Sequence, residues 1–122
     1  MIAVAGALGA LLAVAAGAFG AHGLRGQLDA SALATWATAA DYQMYHSLAL
    51  LALGPGCAPA ARPRRHAGAA LCFGAGIVLF SGSLYALALG APRALGMVTP
   101  FGGVLFLCGW VLVAVGAWRE RG

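Results

Sequence analysis

The chain has 122 residues, enough for one domain, of which 62% are hydrophobic and 8% charged, with a formal net charge of +4. A soluble domain carries roughly 25% charged residues, so water would solvate this surface poorly, whereas lipid tails accept Ala, Leu and Val. The seven basic residues are all Arg and sit singly or in one short group between apolar runs; this suits loop charges that orient a membrane protein and speaks against the dense patch that nucleic-acid binding needs.

Four helices are expected. The first, residues 1–21, carries no charge and is long enough to cross a hydrocarbon core of about 30 Å. No Lys or Arg precedes Arg25, so a retained helix is expected rather than a cleaved signal. Gly23 is the expected stop. The second, residues 31–54, starts on Asp29 or Ser31 as cap and is the least apolar, with Asp41, Tyr42, Gln43, Tyr45, His46 and Ser47 in one cluster. The third, residues 67–90, is uncharged. The fourth, residues 99–118, has Thr99 as expected cap, Pro100 at the first helical position and Trp118 as an interfacial anchor before Arg119, Glu120 and Arg121.

The connections are short, which forces neighbouring helices to be antiparallel. The fold class is therefore an all-α membrane protein, a single antiparallel bundle of four transmembrane helices covering residues 1–122. With four spans, Arg62, Arg64, Arg65, Arg119 and Arg121 share one side with both ends, against Arg25 and Arg93 on the other. The excess predicts both termini in the cytoplasm.

Small residues let helices approach closely in lipid. Gly9 and Gly17 on the first helix, Gly82 on the third, and Gly102, Gly109 and Gly116 on the fourth are the expected packing positions. The same stripes would equally fit another copy of the chain or a membrane-protein partner. Cys57, Cys72 and Cys108 lack any disulfide or zinc spacing and read as small packing residues. Three histidines at unrelated spacings predict no metal site and no cofactor.

At about 100° per residue, Ser31, Thr35, Thr38, Tyr42, Tyr45 and His46 share one face of the second helix, with Asp41 at its edge and Gln43 and Ser47 elsewhere. One reading is a hydrated site, since Asp and His exchange protons. The other, preferred here, is a hydrogen-bonded seam between helices. Arg25 or Arg93 would be a partner for Asp41. His22 closes the first helix, capping its carbonyls or meeting Asp29; His66, beside Arg64 and Arg65, reads as a headgroup-facing residue. Ser81 and Ser83 are expected to bond back to the helix backbone.

Four segments together resemble a known group. They are Gly17-Ala18-Phe19-Gly20-Ala21-His22-Gly23-Leu24, the run from Thr38 to Leu50, Ser81-Gly82-Ser83-Leu84-Tyr85, and the run from Leu95 to Gly103. They are similar to a YgdD-like family of small bacterial inner-membrane proteins, a domain of unknown function with a small eukaryotic transmembrane relative. The resemblance covers nearly the whole chain and implies a four-helix, multi-pass protein of the bacterial inner membrane. It supplies no activity and no catalytic residue. That family often has a basic or polar residue where this chain has Asp41, which turns attention to His22, Tyr42, Gln43, Tyr45 and His46. The sequence contains no GxSxG, HExxH or P-loop, so a non-catalytic packing or interaction protein is expected. The alternative is a transporter or channel component for protons or a small solute, using the polar stripe of the second helix. An enzyme acting on lipid or quinone ranks behind both and would need a lateral pocket reached by His46 or Tyr45.

Overall fold

The computed structural model describes residues 1–54 and 63–119, with side chains described from His66 onward in the second part. Pro55, Cys57, Pro59, Arg62, Glu120 and Arg121 lie outside the described residues, as do the side chains of Arg64 and Arg65. The order is α1 (Ile2–His22), α2 (Ala30–Ala52), α3 (Pro63–Gly76), a π-helical turn (Ile77–Ser81), α4 (Gly82–Ala88), a 3-10 turn (Arg93–Met97) and α5 (Thr99–Arg119). The described residues are all-helical apart from turns.

The ends of the helices show how local chemistry sets them. Asp29, rather than Ser31, caps α2 by accepting from the Ala32 amide at 2.8 Å. The expected stop at Gly23 holds: α1 ends at His22 with Gly23 as its C-cap in right-handed backbone, and the left-handed residue of the turn is Gly26 at φ 90°, a conformation that costs glycine least. Thr99, by contrast, is not the cap of α5. Its hydroxyl pairs with Ser83 Oγ at 2.6 Å, while the Val98 carbonyl accepts from Phe101.

Contacts fix the helix directions. Gly6 lies against Leu51 and Gly20 against Trp36, so α1 and α2 run antiparallel. Gly76 meets Phe106 and Gly102 meets Phe80, so α3 and its π-helical turn run antiparallel to α5. Helix α2 lies between the two pairs, touching α1 on one side and the α3–α4 rod on the other. The interior is thin: Ala49, Leu50, Ala69, Phe73 and Phe106 make one cluster, and Leu24, Trp36 and Ala88 a second.

Most large apolar side chains face outward instead, among them Leu8, Leu11 and Leu12 on α1 and Phe101, Leu107 and Val111 on α5. Such an exterior suits hydrocarbon. Three stretches are long and apolar enough to cross a membrane: Ile2–His22, His66–Ala88 and Arg93–Arg119. Helix α2 has 23 residues, the length of a span, but is not among them.

The packing glycines fall into two groups. Gly9, Gly102 and Gly109 lie at crossings, facing Ser47, Phe80 and Phe73. Gly17, Gly82 and Gly116 have nothing within 4 Å of where a Cβ would stand, and the tight crossings fall on Gly6, Gly20 and Gly76 as well. Four-residue spacing marks a stripe but not which way the helix is turned. Cys108 is exposed rather than packed, and Cys72 is half-buried.

Candidate functional site

The polar side chains of α2 part into two sets. Gln43, His46 and Ser47 are buried, whereas Asp41, Tyr42 and Tyr45 are exposed. On a helix, His46 lies about 60° round from Gln43, while Asp41 and Tyr45 lie nearly opposite. Helix α1 covers the Gln43 side.

Gln43 bridges three helices. Its Nε2 donates to the Gly9 carbonyl on α1 at 2.9 Å, and its Oε1 accepts from Tyr85 OH on α4 at 3.0 Å. Gly9 allows this because it has no side chain to hold α2 away; the Ser47 side chain lies directly beneath it.

His46 is held at both ring nitrogens. Trp110 Nε1 on α5 donates to His46 Nε2 at 3.2 Å. The ring proton therefore sits on Nδ1, which donates to the Tyr42 carbonyl at 2.7 Å. The imidazole stacks on Phe106 with centroids 3.5 Å apart and planes 5° apart, and Phe73 closes another side at 5.4 Å. A second proton on Nε2 would set two N–H groups facing each other. This arrangement orients a neutral ring and fills the space around it.

The expected single stripe is thus corrected. Ser31, Thr38, Tyr42 and Tyr45 face outward, and of that stripe only His46 reaches the interior. Thr35 and Thr38 donate to the Ser31 and Ala34 carbonyls at 3.0 Å, which satisfies their hydroxyls within α2. Tyr42 lies against Phe80 at 4.7 Å and Tyr45 at 5.8 Å, an aromatic row along the outer edge.

His22 is not near His46. It lines a groove of about 460 Å³ between α1 and α2, with Gly17, Arg25, Trp36, Ala37 and Asp41. Arg25, of the two arginines expected to serve Asp41, is the one that shares this groove. Asp29 is occupied in capping α2 and is not a partner for His22. The groove floor is firm, because Trp36 Nε1 donates to the Ala16 carbonyl at 2.7 Å and its ring packs on Tyr85 at 4.6 Å. His66, expected to face headgroups, is half-buried and bonds the Leu53 carbonyl at 3.2 Å. Ser83 returns a hydrogen bond to Phe80, whereas the buried Ser81 and Ser47 hydroxyls make none.

The family described as "Protein of unknown function (DUF423)" matches residues 16–103, which hold the groove, Gln43, His46 and Tyr85. The chain belongs to this family. Among similar proteins, UPF0382 membrane protein SSP2132 of Staphylococcus saprophyticus is 48% identical over 93 residues, 76% of each chain. A UPF0382 membrane protein of Haemophilus influenzae is 43% identical over 95 residues, 77% of this chain and 74% of its own. UPF0382 inner membrane protein YgdD of Escherichia coli K12 is 44% identical over 88 residues, 69% of this chain and 63% of its own. No solved structure matches the chain. The family's description assigns it no function.

Residue type and the family resemblance both single out Gln43 and His46. Their partners Gly9, Tyr85 and Trp110 are 34, 42 and 64 residues away in sequence and carry no local signal.

Proposed function

We propose that the chain is a non-catalytic, multi-pass protein of the bacterial inner membrane that works by packing against another membrane protein or a second copy of itself. All four long helical segments cross the bilayer, with both ends in the cytoplasm. Helix α2 crosses despite its polarity because Gln43 bonds α1 and α4, and His46 bonds α5 through one ring nitrogen and its own helix through the other, so their polar groups are satisfied inside the bundle.

The single observation behind the non-catalytic reading is the doubly bonded, ring-stacked His46. A histidine that passes protons needs a wet, adjustable neighbour, whereas this one is clasped by Trp110, Tyr42, Phe106 and Phe73. The outward Gly17, Gly82 and Gly116 leave flat places where another helix can approach. The enzyme reading finds its lateral groove at Asp41 rather than at His46 or Tyr45.

The test has two arms. Cross-linking in native membranes should recover species above the monomer, and recovery of the monomer alone would remove the interaction reading. Proteoliposomes should show no proton or cation flux above protein-free vesicles. A flux that falls in a folded His46→Gln variant would favour the transporter instead.

A further inference from the structure

We propose that the groove between α1 and α2 binds the headgroup of a zwitterionic phospholipid of the phosphoethanolamine type, with its phosphate against Arg25 and His22 and its ammonium against Asp41. This goes beyond assembly and rests on the placement of α2 across the bilayer.

Depth is the first argument. Gln43 sits at Gly9 and Trp36 at Ala16, so Asp41 lies beside the middle of α1. The 21 residues of α1 span about 31 Å, the thickness of the hydrocarbon core. Asp41 is exposed there, on the wall of the groove. Bare hydrocarbon is a poor neighbour for a carboxylate, and ionisable groups at such depth usually meet a cation or a wet cavity.

Charge arrangement is the second. The groove carries a guanidinium and an imidazole at its loop end and a carboxylate at its inner end. From Leu33 to Asp41 it runs eight helical steps, about 12 Å, and the Arg25 stem can lie along part of that length. A molecule with an anionic and a cationic group a short linker apart satisfies both ends. A purely anionic or purely cationic amphiphile leaves one end opposed. Volume agrees, since about 460 Å³ falls within the roughly 300–1,000 Å³ of small-molecule sites.

The floor and the open side complete the case. Trp36 is pinned by its hydrogen bond to Ala16, and Gly17 leaves the wall without a side chain. Ala37 keeps the opposite wall low. Because the groove opens outward, the acyl chains stay in the bilayer while the headgroup folds inward below its normal level. Water-borne phosphoethanolamine shares the headgroup chemistry but lacks the chains that would hold it at this depth.

The experiment uses the full chain purified in detergent and exposed to phosphatidylethanolamine, phosphatidylglycerol or diacylglycerol, with retained lipid counted by native mass spectrometry. Phosphatidylethanolamine should be retained about tenfold over diacylglycerol, the size expected of charge-assisted hydrogen bonds. Asp41→Asn should erase the preference for phosphatidylethanolamine over phosphatidylglycerol. Arg25→Gln should bring both phospholipids towards the diacylglycerol level. Both positions are exposed, so circular dichroism and melting should be unchanged. Equal retention of all three lipids, or retention indifferent to both substitutions, would overturn the proposal. Free phosphoethanolamine competing as well as the lipid at equal concentration would overturn the lipid as the source. Cysteine labelling of the chain ends tests the crossing of α2 separately, so a failed headgroup site and a failed topology give different results.

Discussion

At the scale of single residues, the seam is a set of hydrogen bonds made where water is absent. Bonds between membrane helices are worth about 0.6 kcal/mol each on average. Trp110→Phe removes one bond and little volume, so the expected loss in reversible unfolding of the full chain in detergent is of that order, about 0.6 kcal/mol. Gln43→Ala removes two bonds and some packing and should cost about 1–2 kcal/mol. His46→Ala empties a site stacked on Phe106 and should exceed both, at about 2–4 kcal/mol. Unfolding that shows His46→Ala no worse than Trp110→Phe would mean the ring stack contributes little. The sequence marked Gln43 and His46 as unusual because amide and imidazole groups are rare in apolar helices. It placed Gln43 off the polar stripe, which is correct, but it could not show that the side it faces is the buried one.

Helices are the next scale. Their approximate ends were legible because apolar runs, a capping Asp and a Pro near a helix start each have a local cause. Rotation was not legible, because it depends on which neighbour a helix meets. The glycines show this. A Cβ on Gly6 would stand 2.5 Å from the Leu51 nitrogen, and one on Gly102 would stand 2.8 Å from the Phe80 Cα. Backbone cannot give way as a side chain can, so Gly6→Ala and Gly102→Ala should each cost about 1–3 kcal/mol in the same unfolding measurement. Gly82→Ala and Gly116→Ala face open space and should leave the monomer unchanged or up to about 1 kcal/mol more stable. Equal effects at all four would contradict these crossings. The π-helical turn at Ile77–Ser81 was also hidden, since nothing in Ile77-Val78-Leu79-Phe80-Ser81 announces an extra residue. It lies where Phe80 packs on Gly102 and Tyr42, directly before Ser83 and Tyr85 meet Thr99 and Gln43.

For the molecule as a whole, the composition already pointed to lipid, and the outward Leu, Val and Phe side chains follow from it. Three helices satisfy length and apolarity without further argument. The fourth crossing depends on α2, whose polar groups become compatible with a membrane only once their partners on α1, α4 and α5 are known. An odd number of crossings would put the two ends on opposite faces, and an even number puts them together. Arginine bias does not separate the two counts, because four crossings set five Arg against two and three crossings set six against one. Glycine stripes left the partner surface open in the sequence; Gly82 and Gly116 face open space and are positions the proposed assembly would use.

The most direct test is side-specific labelling in cells. Starting from a chain with Cys57, Cys72 and Cys108 replaced by Ser, single Ile2→Cys, Gln27→Cys and Trp118→Cys variants would be treated with a membrane-impermeant maleimide before and after permeabilisation. Four crossings predict that position 27 reacts in intact cells once the outer barrier is opened, while positions 2 and 118 react only after the inner membrane is breached. Labelling of positions 2 and 118 from opposite faces would show that α2 does not cross, and the seam would then need another explanation.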